Sequence, residues 1–204
     1  AKVTTTTTDT VTGIFDSNAA LFTFNPKEIT VDNEDPGFRI IESNQKNKLQ
    51  SFFKKESEDK YKNLNFWMPP SKWTATIGVN YYGDYINSAV YKKSGSGSNK
   101  TEWTTQIQIP GFYEVFVYTS ELPMMGWRRR GSEEKKMQYY TVKHDDGEEE
   151  ISVETGRGRQ GWMTLGSFYF SAGEAKITLS DKGSESNQII FADAVKWVYT
   201  NNNK

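Results

Sequence analysis

The sequence predicts an all-β fold, an antiparallel β-sandwich of jelly-roll type with one short helical insertion. Three observations carry that prediction. From Trp73 to Val198 apolar residues recur at period two, turn-forming residues close nearly every run, and only one segment, residues 42–64, has helical spacing instead. Short strands at regular intervals favour a sandwich over any design that alternates strands with helices.

Taken in order, the tract Lys2-Val3-Thr4 to Thr8 is too polar to bury and too β-branched for a helix, so it reads as a tether or an edge strand. Residues 1–30 are accordingly expected to be a linker or the edge of an upstream domain, with the main domain spanning 31–200. Leu21, Phe22 and Phe24 form a short apolar run stopped by Asn25-Pro26; Ile29 and Val31 then alternate with Thr30 and Asp32 up to the turn residues Asn33 to Gly37. Between 42 and 64 Lys and Glu are dense, Gly and Pro are missing, and Leu49, Phe52 and Phe53 fall at i, i+3, i+4. That spacing predicts an amphipathic helix starting near Ser43 and stopped before Pro69-Pro70, within an insert of about residues 39–72.

From Trp73 onward the rhythm is that of strands. Trp73, Ala75, Ile77 and Val79 are expected on one face, followed by the aromatic loop Asn80 to Tyr85 and a flexible Ser94 to Ser98 stretch. Trp103, Thr105, Ile107 and Ile109 line the next strand until Pro110-Gly111 turns the chain. Phe112 to Tyr118 is apolar on both faces, which predicts a central strand covered on both sides. Leu122 to Lys136 reads as a long charged loop containing Arg128-Arg129-Arg130. The clearest hairpin runs from Tyr140, Val142 and His144 through Asp146-Gly147 to Ile151 and Val153, which places Val142 and Val153 inward. Leu165 to Phe170, Ala175 to Leu179 and Ile189 to Val198 complete the strands.

Composition narrows the function classes. At 204 residues the chain can bury one large core, the 14% aromatic residues can fill it, and 25% charged residues with a mean hydropathy of −0.73 indicate a soluble body. No apolar run approaches the ~20 residues of a membrane-spanning helix, and Ala1 opens no basic-then-apolar leader. A net charge of −1 supplies no electrostatic footprint for nucleic acid. Zero cysteines exclude disulfides, thiolate chemistry and sulfur-bound zinc, and a single histidine excludes a His-based metal cluster. No motif implies a cofactor.

Several separated motifs coincide with a known family: Val31-Asp32-Asn33 with Asp35-Pro36-Gly37-Phe38, Tyr81-Tyr82-Gly83, Pro110-Gly111-Phe112-Tyr113-Glu114-Val115, Tyr140-Thr141-Val142-Lys143-His144 with Gly147, Gly161-Trp162 with Leu165-Gly166, and Ala192-Asp193-Ala194-Val195. In their order and spacing, Val31 to Val198 resembles the golvesin carboxy-terminal-like domain, also described as xanthan-lyase-like. The resemblance implies a β-sandwich appended to larger extracellular bacterial proteins, with a carbohydrate-binding role. The chain departs from the family pattern at the 39–72 insert and at the long Leu122 to Met137 loop.

Each chemically capable residue also has a structural reading. His144 ends a hairpin arm, where an imidazole caps sheet hydrogen bonds more often than it meets a ligand. Tyr139 or Tyr140 with His144 and Arg128 to Arg130 contain the residue types of a polysaccharide lyase, but at no diagnostic spacing. Glu148-Glu149-Glu150 reads as a solvated strand edge rather than a glycosidase pair. Asp193 lies inside an apolar run and needs partners, most simply backbone N–H groups that pin a loop to the last strand. Asp32, Asn33 and Asp35 lack calcium-loop spacing and fit an Asx-stabilised turn better. Trp103 and Trp197 are core by strand phase, whereas Tyr81, Tyr82, Tyr85 and Trp127 lie in loops as either core lids or stacking platforms.

The expectation is a non-catalytic accessory module of a secreted, periplasmic or cell-surface protein, binding a polysaccharide or glycan and neighbouring domains of its parent. Its ligand residues are expected to be Tyr81, Tyr82, Tyr85, Trp127, Arg128 and His144, without metal. Two alternatives stay open: a structural domain that docks onto a catalytic neighbour, and a polysaccharide lyase.

Overall fold

The computed structural model of the chain describes residues 3–7, 11–16, 19–21, 27–43, 60–120, 136–156 and 158–200, the first three segments as backbone. In chain order the strands are β1 (Val3–Thr7), β2 (Val11–Asp16), β3 (Ala19–Leu21), β4 (Glu28–Val31), β5 (Phe38–Ile41), β6 (Thr74–Ile77), β7 (Ser88–Lys93), β8 (Lys100–Ile107), β9 (Gly111–Thr119), β10 (Lys136–His144), β11 (Gly147–Thr155), β12 (Gly161–Phe170), β13 (Gly173–Gly183), β14 (Ile189–Ala192) and β15 (Val195–Thr200).

All strand pairs are antiparallel, and the strands form four sheets. A five-stranded sheet in the order β11-β10-β13-β8-β5 faces a four-stranded sheet in the order β12-β9-β15-β4. Their inner faces share one core, in which Tyr140, Val142, Ile177, Leu179 and Trp103 meet Val115, Val117, Leu165, Val195 and Trp197. A smaller sheet, β14-β7-β6, adds Val90, Ile190 and Ala192 to this core; its other face carries Ala89, Tyr91 and Phe191, a second cluster capped by Tyr81. Among the described residues β1, β2 and β3 pair with one another in a separate three-stranded sheet. β4 pairs with β15 from Glu28 onward, so Glu28 to Thr30 are part of the four-stranded sheet.

The predicted hairpin is present, with Tyr140 opposite Ile151 and Val142 opposite Glu149. Val142 is fully buried and Val153 nearly so. Its turn lies one residue earlier than expected: Asp145 and Asp146 form it, and Gly147 alone takes positive φ, at 132°.

Four sequence expectations are corrected. No helix occurs among the described residues; 60–73 run as loop, with Tyr61 bridged to Ala75, while Leu49, Phe52 and Phe53 lie outside the described residues. The period-two face of β6 fails beyond Ala75, since Thr76 is buried while Ile77 and Val79 are 58% and 93% exposed past the rim. The Ser94 to Ser98 stretch is not a free linker. It wraps the buried Asp181, which accepts from Gly97 N–H at 2.6 Å, from Asn99 Nδ2 at 2.8 Å and from Lys92 Nζ. Finally, β9 is not covered on both sides: Phe112 and Glu114 are exposed on its outer face, with Phe116 and Tyr118 half-buried. Aromatic residues pack with one another across that outer face, so a doubly apolar pattern arises without a third layer.

Candidate functional site

Adjacent tyrosines acquire opposite roles because the 78–88 loop is fixed by its own backbone. Gly78 N–H donates to Asn87 O at 3.0 Å, Tyr81 N–H to Gly78 O at 3.1 Å, and Asn87 Nδ2 to Tyr81 O at 2.8 Å. Gly83 has φ of +144°, and a Cβ there would stand 2.1 Å from Ile86 O, so only glycine fits. The loop therefore turns Tyr81 inward, Tyr82 across the rim and Tyr85 outward.

Tyr81 is 5% exposed, and its ring centroid lies 5.8 Å from that of Phe191. Burial, and then the Asp193 charge, push its phenol well above the ordinary range. Its ring packs as a lid on the Phe191 cluster. Tyr82 is half-buried, with ring centroids 5.2 Å from Trp162 and 5.7 Å from Tyr118. Tyr85 is 99% exposed.

Across from this loop lies the turn after β4. Asn33 N–H donates to Asp32 Oδ1 at 2.7 Å, Asp32 N–H to Asp35 Oδ2 at 2.8 Å, and Asp35 N–H to Asp32 O at 3.1 Å, the expected Asx-stabilised turn. Glu34 is held by Tyr61 hydroxyl at 3.1 Å, Ser88 hydroxyl at 2.8 Å and Lys60 Nζ. Burial alone would raise its carboxyl, but those bonds and the Lys60 charge outweigh it and hold Glu34 below the ordinary carboxylate range.

Between turn and loop opens a groove of about 340 Å³ lined by Thr30, Asp32, Glu34, Asp35, Tyr82, Asp84, Tyr85 and Ile86. Its ionisable carboxyls strain against one another. Asp32 is pushed up to about 7, first by burial and then by Asp35, Glu34 and Asp84, against one opposing hydrogen bond from Asn33 N–H. Behind Tyr82 lies Asp193, which is 1% exposed and whose Oδ2 accepts from Tyr82 N–H at 3.2 Å and Ser120 hydroxyl at 3.1 Å. Asp193 thus pins the aromatic loop by backbone and hydroxyl bonds, as its place in an apolar run implies. Burial raises its carboxyl well above the ordinary value, and the Asp32 charge adds to the shift.

The groove continues onto the outer face of the four-stranded sheet through Thr30 and Tyr82. There Trp162 stands edge-on to Tyr118 at 5.3 Å, and Lys196 Nζ lies 4.6 Å from the Trp162 ring centroid and 5.6 Å from that of Phe116.

The sequence-predicted residues do not form one site. Tyr82 and Tyr85 share the groove, and Trp127 and Arg128 lie outside the described residues. His144 is at the opposite end of the sandwich. Its neighbour Asp145 bonds Tyr169 and Ser171, whereas the groove adjoins Trp162, and eight residues of β12 separate these ends by ~25 Å. The His144 side chain is 5% exposed, its ring centroid is 5.0 Å from that of Phe168, and its Nδ1 accepts from Asp146 N–H at 3.3 Å across the hairpin turn. Tyr140 is 1% exposed and bonds Gln138 at 3.0 Å, so His144 and Tyr140 do not meet in a cleft. Reasoning from sequence missed Thr30, Asp84, Ile86, Tyr118 and Trp162. The signal available was acidic residues in loops at both 32–35 and 84, beside rings.

A Paenibacillus xanthan lyase has a similar structure, with a TM-score of 0.58 and 20% identity over 89% of this chain. The chain spans 14% of that lyase's length, and the likeness establishes the fold. More distant are a Podospora anserina GH26-CBM35 β-(1,4)-mannanase, with a TM-score of 0.41 and 12% identity over 66% of this chain and 27% of that one, and TmCBM61 in complex with β-1,4-galactotriose, with 0.32 and 17% over 70% and 96%. No curated protein matches in sequence. The sequence model of one domain family matches residues 60–199, which run from the Tyr61 bridge through β15. The chain belongs to the Golvesin C-terminal domain family.

Proposed function

We propose that the chain is a non-catalytic accessory module of a secreted or cell-surface protein, and that it binds a glycan in the groove between the 32–35 turn and the 82–86 loop. The observation that carries this reading is the groove itself, which sets two tyrosine rings beside fixed carboxylates. A pyranose has an apolar C–H face suited to a flat ring and hydroxyls that need anchored acceptors. A ring that removes roughly 100 Å² of apolar surface from water contributes about 2.5 kcal/mol. After the cost of association, one or two rings give affinities in the millimolar to micromolar range, useful where several modules act together.

Immobilised polysaccharides of differing backbone, with retention measured for wild type and Tyr85→Ala, test the reading. Retention on at least one polymer, lost in the variant with an unchanged melting temperature, is expected because Tyr85 is almost wholly exposed. Equal retention of both proteins, or retention of neither, contradicts it.

A second reading, docking onto a neighbouring catalytic domain, is favoured by Trp67 and Met68, exposed at 83% and 76% on the 60–73 loop. It predicts that Trp67→Ser weakens binding to such a domain while Tyr85→Ala does not. A lyase role has less support, since His144 is enclosed far from the groove.

A further inference from the structure

The glycan reading leaves open which sugars the groove accepts, and its charge is decisive. We infer that the groove selects a glycan bearing a free ammonium group, an amino sugar without its acetyl cap, over neutral or uronic sugars. This rests on the proposed glycan site and deepens it.

Four carboxyls line the groove: Asp32, Glu34, Asp35 and Asp84. Lys60 is already bound to Glu34, and Lys196, on the continuation of the groove, pairs with Glu28 at 3.3 Å, so among the described residues no unpaired basic side chain awaits an acidic sugar there. Arg128, the arginine donor for uronic acids that the sequence suggests, lies outside the described residues.

A second, independent observation points to the same ligand chemistry. Two buried polar atoms adjoining the groove lack a partner, Asn33 Oδ1 in the turn and Asp193 Oδ1 behind Tyr82. Both are acceptors. Asn33 is not misoriented, because its Nδ2 already donates to Ser88 Oγ at 2.8 Å. Asp193 is 99% buried, and its other oxygen holds the N–H of Tyr82, a groove wall. The turn therefore wants a donor at Asn33 Oδ1, and an ionised acidic group on a ligand supplies none. Tyr82 and Tyr85 supply faces for the ring carbons of the same sugar, so the site asks for a cation with an apolar body.

Asp84 is the residue to test, because it lines the groove, is exposed, and makes no hydrogen bond among the described residues. Calorimetric titration of the whole chain would compare a glucosamine tetramer, its fully N-acetylated counterpart and a galacturonate tetramer, each with and without calcium. The glucosamine tetramer should bind about tenfold tighter than the acetylated one, as one carboxylate–ammonium contact in a partly screened site implies. Galacturonate should not bind. Asp84→Asn should remove most of the tenfold preference, and Tyr85→Ala should weaken both amino-sugar polymers. Equal binding of the two polymers that remains Tyr85-dependent overturns the charge inference while the glycan reading stands. Binding only with calcium, or glucosamine binding matched by spermine and insensitive to Tyr85→Ala, also overturns it. Binding of no saccharide removes both readings.

Discussion

Two buried aspartates show how the same side chain either locks this fold or leaves it wanting a partner. Asp181, on β13, has a fully buried side chain and is surrounded by donors: Lys92, Asn99 and the N–H of Gly97. Burial alone would raise its carboxyl, but those bonds and the Lys92 charge outweigh it and hold the group below its ordinary value. Asp193, between β14 and β15, is equally buried but meets only one N–H and one hydroxyl, with Asp32 rather than a cation in its field. The first site is electrostatically closed and structural. The second is open, and it adjoins the groove.

Removing the cation from the closed site is the most severe way to break this contrast. Lys92→Met should cost about 3–5 kcal/mol, because it strands the Asp181 charge in the core. Chemical denaturation reads the loss, and a cost below about 1 kcal/mol would mean that the pair is not the lock described. At the open site the matching change is mild. Asp193→Asn keeps an acceptor for Tyr82 N–H without a buried charge, so stability near neutral pH should change by no more than about 1 kcal/mol. A loss as large as that of Lys92→Met would erase the distinction.

A further contrast concerns pH, and the two regions have opposite signs. Asp32 is raised from 3.8 to about 7, so its contribution to stability is fully present below the unfolded value and is lost as pH rises through about 7. Asp181 is lowered, so its contribution is present above 3.8 and is lost as pH falls through its folded value. Melting curves of Asp32→Asn should therefore fall less than those of wild type between pH 4 and about pH 7, since no half-buried carboxyl then ionises beside Asp35, Glu34 and Asp84. Parallel curves would refute the assignment.

These contrasts explain what the sequence could disclose. The hairpin, Trp103 and Trp197 were legible because local alternation and turn chemistry decide them. The need of Asp193 for partners was legible too, since a carboxylate in an apolar run has few options. Tyr81 and Tyr82 were not separable, because their burial depends on Phe191, Trp162 and Tyr118 from remote strands. The Ser94 to Ser98 stretch has linker composition, and only Asp181 gives it a fixed path. The groove joins the 32–35 turn to Asp84, and no local pattern brings those segments together.

The central claim is that ligand meets the chain at the turn–loop groove and not at the His144 end. Backbone amide shifts of the isotope-labelled chain, followed during titration with a retained oligosaccharide, test this most directly. The account predicts shifts confined to residues 30–35, 82–86 and the neighbouring Trp162 indole, with His144 and Phe168 unmoved. Saturable shifts centred on His144, Asp145 and Tyr169, with the groove silent, would contradict it.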